Sequence, residues 1–253
     1  METPVLSETS DGILTLTLDR PEKKNALTDA MYGALADGFA AAAVDDAVRA
    51  VLITSNGDSF TAGNDLGDFM SVAAGTADVR QAQVWRLLDW LARFEKPLVA
   101  AVPGVAVGVG TTMLLHCDLV YLAEDAVLAT PFVDLALVPE AASSLLLPAR
   151  IGHVRAFAMF ALGERMTAQE ALAAGIANRV VPRDALQQTA RAAAVALAGR
   201  PPAALRITKA LMRDTAALTQ RTAEEGALFS AQLKSPEAMQ AFAAFAARAP
   251  SRP

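Results

Sequence analysis

Apolar residues alternate with Thr15 and Thr17 over residues 13–18, the period of a strand with one face buried. Asp19-Arg20-Pro21-Glu22 ends that strand. Leu27-Thr28 then opens an amphipathic helix to about Ala43, with Thr28 placed as its N-cap. Residues 50–54 form a short apolar run, read as a buried strand, and Ser55-Asn56-Gly57-Asp58 turns the chain. A loop around Thr61-Ala62-Gly63-Asn64-Asp65 leads to a helix near Leu66. The small residues 73–77 read as a mobile loop, and a helix is predicted over residues 79–94, closed by Lys96-Pro97. Residues 98–102 are the next buried strand. Pro103-Gly104 turns the chain, and a helix begins near Val109. Residues 119–123 and 127–129 read as further strands. Pro139 suits a first helical position, which predicts a helix over residues 140–147. From His153 nearly everything is helical, with starts marked by Pro182, Pro201-Pro202 and Ser235-Pro236. Strands and helices thus alternate to about residue 130. The expected class is an α/β core with helices outside, in residues 1–190, and an Ala-rich helical region in residues 191–253.

Composition fits this picture and narrows it. Of 253 residues 53% are apolar and 19% charged, enough for a large core and unlike a disordered chain. The net charge of −5 and the scattered Lys and Arg argue against nucleic acid as a partner. The single cysteine, Cys117, has no partner for an internal disulfide, and no Cys/His cluster has metal-ligand spacing. His116 and His153 stand apart and read as packing or surface residues, which disfavours a Ser-His or Cys-His hydrolase. The polar N-terminus resembles no secretory signal, and ARAPSRP is no peroxisomal address. Residues 98–115 carry no charge, but Pro103, Gly104, Gly108 and Gly110 fit a strand, a turn and a buried helix better than a membrane span. The expectation is a soluble cytoplasmic protein with no membrane association.

Three motifs carry candidate chemistry. They are Leu18-Asp19-Arg20-Pro21-Glu22-Lys23-Lys24-Asn25-Ala26-Leu27, then Ser59-Phe60-Thr61-Ala62-Gly63-Asn64-Asp65-Leu66, and a segment from Val102-Pro103-Gly104 through Ala106-Val107-Gly108-Val109-Gly110 to Cys117-Asp118. Singly, each reads as a turn between a strand and a helix, and the glycine spacing does not fit a dinucleotide loop. In this order and at these distances they resemble the crotonase (enoyl-CoA hydratase/isomerase) superfamily, over residues 13–245.

The resemblance implies a spiral of strand-strand-helix turns capped by C-terminal helices that build trimers, often paired into hexamers. Residues 1–190 would then hold the acyl-CoA site and residues 191–253 the oligomerisation region. It implies an acyl-CoA thioester as substrate, with coenzyme A entering as part of that substrate and no separate cofactor. By motif position, the backbone N–H groups of Asn64 and Val109 would form an oxyanion hole for the thioester carbonyl. A glycine-bordered helix start suits this, because its first N–H groups have no partner within the helix. Lys24, Ala26, Ala62, Asp65 and Leu66 would border coenzyme A, although Lys24 also reads as a solvated surface lysine. A basic residue of the last helices is expected at the 3′-phosphate.

The same resemblance separates the possible reactions. Hydratases of the superfamily use two glutamates. Those positions fall on Thr112 and on Phe132, after Pro131, and neither side chain is a base near neutral pH. A different carboxylate follows in Pro139-Glu140-Ala141-Ala142-Ser143-Ser144. That stretch is similar to the branch that shifts 3-enoyl-CoA to 2-enoyl-CoA, in which the motif glutamate is the single base. Gly63-Asn64-Asp65-Leu66 with Phe69, the threonine at 112 and Pro201-Pro202-Ala203-Ala204-Leu205-Arg206-Ile207-Thr208-Lys209 resemble the same branch. The expected substrate site therefore includes Gly108, Thr112, Phe132 and Leu135, with Val107 and Leu137 as further walls. Taken alone, Glu140 is a helix first-turn glutamate; with its motif it is the expected acid/base, its pKa raised by apolar walls. Asp134 is the rival base. Glu124 and Asp125 read as solvated turn residues, and Ser143 and Ser144 as packing or capping residues. Another crotonase activity (hydration or dienoyl isomerisation) and a non-catalytic acyl-CoA-binding protein stand as alternatives.

Overall fold

The computed structural model describes residues 4–73 and 82–248. Val5–Ser10 (β1), Ile13–Leu18 (β2), Ala50–Ser55 (β3), Leu98–Val102 (β4), Leu119–Ala123 (β6) and Arg179–Val181 (β9) form one sheet in the order β1-β2-β3-β4-β6-β9. Only β1 runs antiparallel to its neighbour; the other pairs are parallel. A second sheet joins Val105–Val107 (β5), Val127–Ala129 (β7) and Met166–Thr167 (β8) in the order β5-β7-β8. The helices are Asp29–Val44 (α1), Leu66–Ala73 (α2), Val84–Arg93 (α3), Val109–Thr112 (α4), Ser143–Ile151 (α5), His153–Ala161 (α6), Ala168–Ala173 (α7), Arg183–Ala198 (α8), Pro202–Met212 (α9), Thr215–Gln232 (α10) and Pro236–Arg248 (α11).

Residue parity divides the main sheet between two cores. Leu14, Leu16, Leu18, Val51, Ile53, Leu98, Ala100, Val102, Val120 and Leu122 join the large cluster that includes α1 and α3. Ile13, Leu52, Val99, Ala101, Tyr121 and Ala123 face the other way, onto Leu186, Ala190 and Ala194 of α8. A parallel sheet covered on both faces needs apolar residues on both faces, so β4 is a continuous apolar run and β3 is apolar from Ala50 to Ile53. Burying each large aliphatic side chain contributes about 1.5–3 kcal/mol. Helix α8 runs unbroken through residue 190. Helices α10 and α11 fold back over the same chain, where Phe229, Leu233, Ala238 and Phe242 cluster with Phe132 and Leu137. On α9, Ile207, Leu211 and Met212 remain exposed.

The expected α/β core and helical C-terminus are present, and Thr28 caps α1 by accepting the Met31 N–H at 3.4 Å. The reading differs from the structure in several elements. Strand β1 was not anticipated, because its side chains are mostly exposed and lack the alternation that marks burial. The two-residue Asp11-Gly12 turn, both residues at positive φ, closes it onto β2. Strands β5, β8 and β9 contain two or three residues each and are defined by their partners rather than by any local period. The helix expected over residues 140–147 instead begins at Ser143, because Ala141 and Ala142 adopt left-handed φ values of 59 and 53. Of the loop expected at residues 73–77, Ala73 closes α2 and the rest lies outside the described residues, as does the start of the helix expected over residues 79–94. No helix among the described residues is long and apolar enough to cross a membrane.

Candidate active site

The first two motifs are zipped together by their backbones. Ala62 N–H donates to Lys24 O, Leu27 N–H to Gly63 O, and Asp65 N–H to Leu27 O, at 2.8–2.9 Å. Asn25 locks the crossing. Its Nδ2 donates to the carbonyls of Asn56 and Ser59, both at 2.8 Å, and its Oδ1 accepts the Arg20 N–H at 2.7 Å. Arg20 Nη1 reaches both Ala26 O and Asp65 Oδ2, the latter at 2.6 Å. Burial works to raise the Asp65 carboxyl, but Arg20, the Gly67 N–H and Lys23 outweigh it and hold it below the ordinary carboxylate range. Thus Lys24, Ala26, Ala62 and Asp65 do lie together, with Lys24 exposed, Asp65 engaged by Arg20, and Leu66 opening α2. The side chains of Leu66 and Phe69 lie outside the described residues.

The second and third motifs meet in the same way. Thr61 forms a parallel bridge with Ala106, through Thr61 N–H to Val105 O at 3.1 Å and Val107 N–H to Thr61 O at 3.0 Å. Asn64 lies three residues beyond Thr61 and Val109 three beyond Ala106, on the two segments that this bridge joins. Gly108, at φ 56, precedes α4 and turns the chain out of β5. Thr111 and Thr112 N–H both return to Gly108 O, which leaves Val109 N–H as a first-turn donor with no helical acceptor. Neither Asn64 N–H nor Val109 N–H donates a hydrogen bond among the described residues. Gly110 is needed for close approach: a Cβ there would stand 2.3 Å from Thr61 Cγ2.

Glu140 completes this neighbourhood. It is 4% exposed, and its Oε1 accepts the Thr112 hydroxyl at 2.5 Å. Its Oε2 is buried with no hydrogen-bond partner among the described residues. Burial pushes its pKa up to about 8; the Thr112 hydrogen bond opposes that rise and the negative charge of Glu225 adds to it. Because the helix starts at Ser143, Glu140 is not a first-turn glutamate and gains no such dipole stabilisation. Tyr32 of α1 reaches the second motif. Its hydroxyl donates to Asn64 Oδ1 at 2.6 Å. Burial raises the phenol's pKa well above its ordinary value, and the Glu140 charge raises it further.

The remaining candidate residues have the following surroundings. Phe132 and Leu137 are buried against α10 and α11, with Leu135 packed alongside and the Phe160 ring 6.0 Å from Phe132. Asp134 is exposed in a turn near Gly163. Glu124 and Asp125 are exposed, and Asp125 pairs with Arg183. Ser144 N–H donates to Glu225 Oε1, while Ser143 is buried in the first turn of α5. His116 is buried, and its neutral ring bonds Ala141 O at 2.7 Å; exposed His153 stacks on Phe157. Cys117 is a buried thiol whose pKa burial pushes up to about 12. Among the described residues no group of three His, Cys, Asp or Glu could hold a metal ion. Tyr32 and Glu225 lie outside the sequence motifs, and Arg20 and Asn25 lie within the first motif with no role marked by the sequence. Asn25 alone had a local signal, since asparagine tolerates the left-handed φ of 52 found there.

Similar proteins share this arrangement of chain. The chain is 35% identical over 251 residues to a Rattus norvegicus protein named enoyl-CoA delta isomerase 2, covering 97% of this chain and 64% of that protein's length. It is 35% identical over 221 residues to 2,3-dehydroadipyl-CoA hydratase of Escherichia coli, covering 86% of each. A solved enoyl-CoA hydratase/isomerase structure from Pseudoalteromonas atlantica superposes with a TM-score of 0.91 at 41% identity, covering 99% of this chain and 100% of that one. The family model described as enoyl-CoA hydratase/isomerase matches residues 8–250, and the chain belongs to that family, with its crotonase fold.

Proposed function

We propose that this chain is an isomerase that shifts the double bond of a 3-enoyl-CoA thioester to the 2-position. The observation that carries the reading is Glu140: a buried carboxyl, held at one oxygen by Thr112, with a pKa of about 8. By the family resemblance, the positions of the two hydratase glutamates fall on Thr112 and Phe132, neither of which is a carboxylate. The thioester carbonyl would accept the Asn64 and Val109 N–H groups, which stabilise negative charge developing on its oxygen. That charge acidifies C2. Glu140, ionised, takes a proton from C2, the electron pair delocalises into a dienolate, and the protonated Glu140 returns the proton at C4. The double bond moves, no atom is gained or lost, and one carboxyl serves as base and then acid. A carboxyl with a pKa near working pH can do both.

Lys24, Ala26, Ala62, Asp65 and Leu66 are proposed to border coenzyme A, and Gly108, Thr112, Phe132 and Leu135 the acyl side. The exposed apolar residues of α9 support contact with further copies of the chain, and a trimer or a dimer of trimers is the assembly that the family resemblance implies. Purified protein should convert a 3-enoyl-CoA to its 2-enoyl isomer without change of mass. Glu140→Gln should lower kcat by about 10²–10⁴-fold with acyl-CoA affinity nearly intact, while Asp134→Asn should change it little. A 3-hydroxyacyl-CoA product would support hydration instead, binding without turnover would support an acyl-CoA-binding role, and wild-type kcat in Glu140→Gln would overturn the assignment.

A further inference from the structure

Glu140 hangs on a turn that the chain does not favour by itself. Ala141 and Ala142 are consecutive left-handed residues, each with a Cβ crowding the carbonyl that follows. Two struts brace this turn, one from α10 and one from Arg213 in the link between α9 and α10. In the first, Glu225 of α10 is 5% exposed, and its Oε1 accepts the Ser144 N–H at 2.9 Å, immediately beyond the turn. Arg221, one helical turn earlier, donates from Nη1 to Ser144 Oγ at 3.2 Å. In the second, Arg213 meets His116 Nδ1 at 3.0 Å and donates to His116 O at 2.9 Å. A guanidinium only donates, so Nδ1 accepts, His116 carries its hydrogen on Nε2, and that N–H donates to Ala141 O.

We infer that Glu225 is a positioning residue for Glu140: its buried carboxyl holds the chain immediately beyond the turn that aims Glu140. Glu225 Oε2, like Glu140 Oε2, is buried without a hydrogen-bond partner among the described residues. Of the groups around Glu140, Thr112 of α4 lowers its pKa and Glu225 of α10 raises it. Tyr32 of α1 is a neutral phenol held neutral by burial, and His116, behind Ala141, is also neutral. Glu225 itself faces Ser144 of α5 and Arg221 of its own helix; burial raises its pKa, and Ser144, Ala142 and Arg221 moderate the rise. The charge of Glu225 therefore delays ionisation of Glu140, and the strut fixes where the resulting carboxylate points.

This inference rests on Glu140 being the base, so its test includes a readout that needs no turnover. Carboxyl ¹³C NMR would follow the titration of Glu140 in wild type and in Glu225→Gln, with Glu140→Gln used to assign the resonance. The amide keeps an oxygen for Ser144 N–H and removes the charge. Glu140 should then titrate about half a unit to one unit lower, and the acid limb of kcat should move with it while KM stays. An unmoved Glu140 titration in folded Glu225→Gln overturns the inference. If Glu225→Gln does not fold, Glu225→Asp keeps the charge but withdraws the oxygen from Ser144. It should lower kcat about ten- to hundredfold with KM unchanged, and wild-type kcat there overturns the inference. Full activity in Glu140→Gln would instead sink the base assignment and leave the titration result standing.

Discussion

Thr112→Val removes one hydroxyl from the centre of the site and little volume. In the structure that hydroxyl donates to Glu140 Oε1 at 2.5 Å, and both side chains are buried. The bond favours the ionised form of Glu140, so it pulls the pKa down against burial. A hydrogen bond to a charged group contributes about 1.5–3 kcal/mol. One pKa unit corresponds to about 1.4 kcal/mol, so losing the bond should raise Glu140 by about one to two units. From about 8, the acid limb of kcat/KM should move to roughly 9–10. Near neutral pH the ionised fraction, and with it kcat/KM, should fall about 10- to 100-fold, and activity should recover as pH rises. The assay is kcat/KM against pH on a 3-enoyl thioester, with circular dichroism to confirm that the variant is folded. An acid limb that stays put or moves down would refute the reasoning, since it would mean that Thr112 does not bias the protonation of Glu140.

Two further outcomes follow from the same geometry. The Glu140 pKa is about 8 in the fold against an ordinary 4.5, so between those values the folded state holds a proton that the unfolded chain has released. Glu140 therefore costs stability increasingly as pH rises through that window. Glu140→Gln should melt above wild type at pH values above about 8, with the gap closing towards 4.5; thermal unfolding at both ends of the window checks this, and a less stable variant at the alkaline end contradicts it. Gly110→Ala would press a Cβ to 2.3 Å from Thr61 Cγ2, and Thr61 cannot swing freely because its hydroxyl is held by Asn25 O at 2.7 Å. The strain should cost about 1–3 kcal/mol of stability and displace Val109 N–H; a lower Tm with a larger loss in kcat than rise in KM is expected, and an unchanged Tm would contradict the packing argument.

The sequence by itself determined the elements whose burial leaves a period. Strands β2, β4 and β6 lie where the alternation and the apolar runs place them, because both faces of the main sheet are covered. It pointed to Asn64, Val109 and Glu140 only through the resemblance of its motifs to the crotonase superfamily, since each motif taken singly reads as an ordinary turn. It could not announce β1, whose exposed edge needs no apolar alternation, nor β8 and β9, which are too short to have a period. Only the tertiary structure decided that Glu140 stands before α5 rather than in its first turn, since two left-handed alanines have no local sequence mark. Only the fold brought Tyr32 to Asn64, and Glu225 to Ser144 across 81 residues. The reason is physical: local periodicity records which face of an element is buried, whereas the partner of a buried polar group is chosen by whatever distant segment the fold packs against it.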